Sequence, residues 1–132
     1  MANFTDEEIE SVWSKAKPVV GKKESEYKQD MAGALIKRTE YGNTDSIYGW
    51  QIDHKFPERK GGDESPLNLQ AMQWGNNDKK SDDFPDFMTS YTYDGMTNIK
   101  KEQSWYFKDE FIKKLKAIYF DNKYLQKIPI EK

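Results

Sequence analysis

Cysteine is absent from the 132 residues of this chain, and histidine occurs once, as His54. Without cysteine there are no disulfide bonds and no cysteine-ligated zinc sites, and a reducing cytoplasm is the simpler expectation, although this absence is neutral on compartment. Long apolar runs are also lacking, so no segment is expected to span a bilayer. Residues 1–10 are acidic and do not resemble a signal peptide. We expect a cytoplasmic protein with no membrane partner.

The length and the aromatic content favour one folded domain. A chain of 132 residues fits a single domain and can bury a core without covalent cross-links. Aromatic residues make up 14% of the sequence, which favours a packed interior over disorder. Charged residues make up 33%, and the mean hydropathy is −1.03, as in a well solvated surface. We therefore predict one domain over residues 1–132.

Net positive charge is lacking as well. The formal charge is −2 and the isoelectric point is about 5.5, which excludes a protein that is basic throughout. Residues 91–132 carry nine lysines against six acidic residues, whereas the first ninety residues carry twelve basic and seventeen acidic groups. The basic last third either faces phosphates or is the solvated side of helices, and solvated lysine is the commoner case.

Helical patterns are predicted at both ends of the chain. A capping box at residues 5–8 begins the first helix, which Pro18 ends. Its apolar residues repeat at helical spacing: Ile9, Val12, Trp13 and Ala16. A second helix is predicted at about 25–39 and the last at about 104–118, with the Tyr- and Thr-rich segment before it as a loop. The apolar stripe of the last helix comprises Phe107, Phe111, Leu115 and Ile118.

The centre of the chain has a different pattern, with two short strands and a short helix. Alternation predicts strands at about 50–54 and 66–72, with a reversal at 60–63 that places glycine where positive φ is needed. A short helix follows at about 74–82. The predicted fold class is α+β, with this hairpin and helix flanked by the N-terminal and C-terminal helices.

Residues that could take part in catalysis or metal binding lie at two points of this central segment. A single histidine on the apolar face of a strand is more often a hydrogen-bonded core residue than a catalyst, but His54 directly follows Asp53, which offers a hard oxygen ligand. Gly75, Asn76 and Asn77 are weak helix formers at the start of a short helix. Capping explains one asparagine, which leaves a second for another role.

In combination these residues resemble the HNH family of metal-dependent nucleases. The resemblance covers a motif at about 48–84, and its pieces occur in the family's order. They are Ile52-Asp53-His54, Pro57, Lys60-Gly61-Gly62, Asn68-Leu69-Gln70, Asn77 and Lys80-Ser81-Asp82. The resemblance implies a ββα-metal core, which in this chain lacks the cysteine-bound zinc that braces many family members.

The resemblance also implies a role for each residue. His54 is similar to the family's general base, and Asp53 and Asn77 to its metal ligands. Asn68 matches the residue that fixes the loop between the strands, and Lys80 either contacts a phosphate or pairs with Asp82. Ideal strand alternation sends neighbouring side chains to opposite faces, so the first strand must bend or end for the base and the carboxylate to reach one site.

The expected function is metal-dependent hydrolysis of phosphodiester bonds in DNA. The expected cofactor is a divalent ion, Mg²⁺ first and Mn²⁺ or another as options, because such an ion relieves charge on the phosphate and the leaving oxygen. The alternative is an inactive or regulatory nucleic-acid-binding module on the same scaffold, and chance resemblance in a structural protein is the third. DNA against RNA, homodimer against monomer, and any contribution of Asn76 are left open.

Overall fold

The structure, a computed structural model, describes residues 3–130. It has a mixed α+β architecture in which each of the described sheets is a two-stranded antiparallel hairpin. The strands are β1 (Tyr27–Gln29), β2 (Leu35–Lys37), β3 (Trp50–His54), β4 (Leu69–Gln73), β5 (Asp86–Tyr93) and β6 (Asn98–Tyr106). The α-helices are α1 (Asp6–Lys15), α2 (Trp74–Lys80), α3 (Asp109–Ile118) and α4 (Lys123–Gln126). None of the described helices is both long enough and apolar enough to cross a bilayer.

Helix α1 forms as its sequence predicts. The Thr5 hydroxyl accepts from the Glu8 amide at 3.1 Å, and the Glu8 carboxylate accepts from the Thr5 amide at 2.9 Å, so both halves of the capping box are present. The helix buries Val12 and Trp13, and the Trp13 ring packs 5.2 Å from that of Trp50 in β3. This contact places the helix against the central hairpin.

The helix predicted at 25–39 is wrong, because this segment forms the β1–β2 hairpin. Asp30 lies in the turn, where its side chain accepts from the amides of Ala32 and Ala34 at 2.9 Å each. Gly33 has φ +87°, a conformation that other residues rarely adopt. The aspartate therefore satisfies backbone donors locally and favours a reversal over a helix.

The loop predicted before the last helix is also wrong. This segment forms the longest hairpin, β5–β6, in keeping with the strand preference of its Tyr and Thr residues. Residues 104–106 belong to β6, so the last long helix begins at Asp109 instead of Ser104. Leu115 is fully buried as predicted, but Ile118 is 46% exposed and lies outside the core stripe.

The central hairpin and helix follow the predicted order. In the antiparallel β3–β4 pair, Trp50 faces Gln73 and His54 faces Leu69, and α2 begins directly after β4. The second strand begins at Leu69, three residues later than predicted, because residues 66–68 form a 3₁₀ turn. Gly61 has φ +110°, which confirms the predicted need for glycine in the connecting loop.

Asp30 also links this central unit to its neighbours. Its second oxygen accepts from the Gln73 amide and from Asn76 Nδ2, at 2.9 Å each. Asn76 is fully buried, and its oxygen accepts from the amides of Ser90 and Tyr91 in β5. The start of α2 is thus bonded to the β1–β2 turn on one side and to β5 on the other.

Burial raises the pKa of Asp30 to about 6, and hydrogen bonds from Asn76 and three backbone amides oppose this rise. Because the folded-state pKa lies above the ordinary value, protonated Asp30 favours folding. This contribution is complete below pH 3.8 and is lost as the pH rises through about 6. Its full size is about 3 kcal/mol.

We expect Asp30→Asn to remove this part of the pH dependence. Since an amide nitrogen cannot accept a hydrogen bond, the variant leaves backbone donors unpaired and is less stable by about 1–3 kcal/mol at neutral pH. The free energy of unfolding in urea, measured for both proteins from pH 4 to pH 8, tests this. Parallel curves for the wild type and the variant would contradict the assignment to Asp30.

Candidate active site

A cleft of about 700 Å³ lies where β3 ends beside α2. Asp53, His54 and Asn77 all line it, so the structure brings together the three groups that sequence analysis selected. Asp53 and His54 both lie within β3, where they face Gln70 and Leu69 of β4. Because β3 has its predicted bounds, Trp50–His54, an early strand end does not account for these neighbouring residues lining one cleft.

His54 is the last residue of β3, and only 12% of its side chain is exposed. Its Nε2 lies 2.7 Å from Glu64 Oε2 and 3.8 Å from Glu58 Oε2, and its ring packs 6.0 Å from that of Phe4. Both glutamates belong to the connection between β3 and β4. When its Nε2 carries a proton, His54 donates to Glu64, which fixes the tautomer and leaves Nδ1 as the basic nitrogen.

Glu58 and Glu64 are not among the site residues predicted from the sequence. The signal was present, because Glu58 is four residues after the histidine and Glu64 follows the glycine reversal, but acidic residues in a polar loop are common. The imidazole nitrogen and the two carboxylates provide three ligand atoms within 4.8 Å of one another. Such a mixed nitrogen and oxygen set suits Zn²⁺ or Mn²⁺ better than Mg²⁺, which prefers oxygen ligands alone.

Asp53 is 5% exposed, and both of its carboxylate oxygens have partners. One oxygen lies 3.3 Å from Lys80 Nζ and the other accepts from Gln70 Nε2 at 2.9 Å. Burial raises the pKa of Asp53, while the charge of Lys80 and the hydrogen bond from Gln70 oppose this rise. A carboxylate held in this way is fixed in position and has spare lone pairs for a cation.

Asn77 places a side-chain amide in the first turn of α2. Its Nδ2 donates to Gln51 Oε1 at 2.8 Å, which fixes the amide in one orientation. Among the described residues, none donates a hydrogen bond to its amide oxygen. An oriented amide with an available oxygen and a fixed carboxylate, both from residues that line one cleft, are the ligand types that a hard divalent ion prefers.

Lys80 has a different environment from either of the two predicted for it. Its side chain is fully buried and donates to the carbonyl groups of His54 and Lys55, at 3.1 and 3.2 Å, besides pairing with Asp53. Asp82 is 3.5 Å from Arg59 instead. The predicted pairing of Lys80 with Asp82 is therefore wrong, and burial also removes Lys80 from the surface where a phosphate would lie. Its contacts hold the end of β3 against α2.

Asn68 makes the contacts expected of a residue that fixes the loop. It is fully buried, its Oδ1 accepts from the Phe56 amide at 2.7 Å, and its Nδ2 donates to the carbonyls of Phe56 and Asp63. These bonds join Phe56 and Asp63, which lie on either side of the 3₁₀ turn Glu58–Lys60 that follows β3. Gly62 allows this closure, since a Cβ there would lie 1.8 Å from the Phe56 carbonyl oxygen.

The two adjacent asparagines of α2 have separate environments. Asn76 is buried among the hydrogen bonds described above, and the Gln73 side chain caps the helix by accepting from its amide at 2.9 Å. Of these two asparagines, only Asn77 lines the cleft. Asn76 therefore has a structural role and does not line the cleft.

The charges around the cleft favour a cation. Four acidic residues line it against one arginine, Arg59. They are Asp53, Glu58, Asp78 and Asp82. A concave surface of one sign concentrates ions of the opposite sign. A phosphate substrate would be repelled from this surface unless a bound cation offsets the negative charge.

Comparisons of the chain with family models, with curated proteins and with solved structures find no match.

Proposed function

We propose that the protein is a metal-dependent endonuclease that hydrolyses phosphodiester bonds in DNA, built on a ββα-metal core formed by β3, β4 and α2. The observation that supports this most directly is the shared cleft of Asp53, His54 and Asn77. A buried carboxylate, an oriented amide oxygen and a fixed imidazole are the groups that such hydrolysis requires. Their convergence from a strand end and a helix start is not required by packing alone.

In the proposed reaction, His54 takes a proton from the attacking water. Its hydrogen bond to Glu64 through Nε2 orients the ring and stabilises the imidazolium that forms, since a carboxylate partner favours the charged state. An imidazole can accept and release a proton near neutral pH, which suits a general base. Water therefore approaches from the Nδ1 side of the ring.

Asp53 and Asn77 would hold the divalent ion. When bound, the ion supplies charge relief at the phosphate and at the leaving oxygen. Lys80 and Asn68 are positioning residues in this scheme, because Lys80 fixes Asp53 and the end of β3, and Asn68 fixes the turn that follows the base.

We expect supercoiled plasmid to be nicked or cut in Mg²⁺ or Mn²⁺, and to stay intact in EDTA. The reason is that the acidic cleft cannot accept a phosphate without a cation. Agarose gels of a time course measure this, and restoring Mg²⁺ to the EDTA-treated protein is the control. Equal cleavage in EDTA would contradict the proposed chemistry. DNA binding without cleavage in any divalent ion would favour the inactive binding module instead.

A further inference from the structure

A second cleft, of about 620 Å³, is lined by the end of α1, the β1–β2 turn and β4. Three lysines line it, Lys15, Lys17 and Lys55, and we call it the lysine cleft. Its one acidic lining residue, Asp30, is 3% exposed and directed at the amides that it accepts from. The lysine cleft is therefore positive, in contrast to the acidic cleft beside His54.

The lysines of this cleft have no acidic partner in the described part of the chain. Lys15 Nζ donates to the Pro66 carbonyl at 2.6 Å, and Lys55 Nζ lies 5.1 Å from the centre of the Phe111 ring. Within residues 3–130, no ion pair involves Lys15, Lys17 or Lys55. Like charges are thus gathered on one concave surface.

We propose that the lysine cleft binds backbone phosphates of a polynucleotide and so anchors the substrate strand. This inference depends on the proposed function, to which it adds a substrate-binding surface. The acidic cleft has one cationic side chain and the whole chain carries −2, so affinity for phosphate must come from a separate basic surface.

Two features favour a polynucleotide over a small anion. Lys55 directly follows His54, so the lysine cleft begins one residue beyond the proposed base. The cleft is also lined by the half-buried Trp105 and Met31, which offer apolar surface to a sugar or a base. A site for a free anion would need only the charges.

The test measures binding separately from cleavage. Fluorescence anisotropy of a labelled 20-nucleotide DNA, duplex or single-stranded, is followed in EDTA over a range of salt concentrations. The variant is Lys17→Gln/Lys55→Gln, and the control is Lys101→Gln, an exposed residue of β6 outside the cleft. We expect the double variant to bind DNA about 10-fold more weakly than the wild type. The slope of log affinity against log salt concentration should become less steep by about one unit for each phosphate that is no longer neutralised. The control should match the wild type.

Lys55→Arg keeps the charge and should retain binding, which separates loss of charge from loss of folding. Equal affinity and salt slope in the double variant and the control would overturn the proposal, as would a wild type that does not bind DNA. Inorganic phosphate is the second arm: if millimolar phosphate quenches the tryptophan fluorescence of the wild type and DNA does not, the site takes small anions and the polynucleotide assignment is wrong. Binding through these lysines without cleavage in Mg²⁺, Mn²⁺ or any other divalent ion would contradict the nuclease proposal and leave this one supported.

Discussion

His54→Ala is expected to slow metal-dependent cleavage by at least about 100-fold, because a positioned general base contributes factors of that order or more. The side chain is the only imidazole in the chain, so no neighbouring histidine can replace it. The measurement is the single-turnover rate on a short duplex, with Mg²⁺ and enzyme both in excess. Urea unfolding of the same variant tests whether the fold is retained.

A matched variant separates proton transfer from packing. His54→Gln keeps a polar side chain that can donate to Glu64, although it cannot take a proton from water. We expect His54→Gln to be as slow as His54→Ala and closer to the wild type in stability. Cleavage at the wild-type rate by either variant would show that His54 is not the base. Loss of activity in His54→Ala but not in His54→Gln would show that His54 has a packing role.

Lys80→Met is expected to lower the free energy of unfolding by about 3–5 kcal/mol, the usual cost of leaving a buried charge without its partner. The variant leaves Asp53 buried without a cation and leaves two carbonyl groups, those of His54 and Lys55, without their donor. The remaining carboxylate would then have a still higher pKa. Urea or thermal unfolding at pH 7 measures the loss.

The adjacent lysine provides the control. Lys79 is 42% exposed and lies 3.4 Å from the exposed Glu102, so Lys79→Met should change stability by less than about 1 kcal/mol. Adding Asp53→Asn to Lys80→Met removes the orphaned charge and should recover part of the loss. A similar cost for the two lysine substitutions would mean that the buried pair does not stabilise the fold as described.

Local signals account for the parts of the fold that the sequence predicted. The Thr5–Glu8 capping box and the β3–β4–α2 order depend on neighbours in the chain, and both are present. The sequence does not predict the β1–β2 hairpin because Asp30 stabilises it through hydrogen bonds. One oxygen accepts from the turn, and the other accepts from Gln73 and Asn76, which are far away in sequence. No spacing rule identifies a hydrogen bond that joins residues 43 positions apart.

The central residues of the candidate site are predicted from the sequence, but the residues that surround them are not. Asp53, His54 and Asn77 were selected by sequence and resemblance, and they line one cleft. Glu58 and Glu64 reach His54 only because the loop folds back over the strand end, which Asn68 and Gly62 allow. The burial of Lys80 follows from packing against Phe87, 5.6 Å away, which the charge pattern of the sequence does not reveal.

The bonds from Asn76 to Asp30 and to β5 have a consequence for protein engineering. A fragment of residues 48–84 would have every proposed catalytic group and yet lack the amides and the carboxylate that hold α2 in place. An isolated pair of short strands has marginal stability in water. In this fragment α2 would also lose the hydrogen bonds that hold its first turn. Grafting this motif into another scaffold would require transplanting both outer hairpins with it.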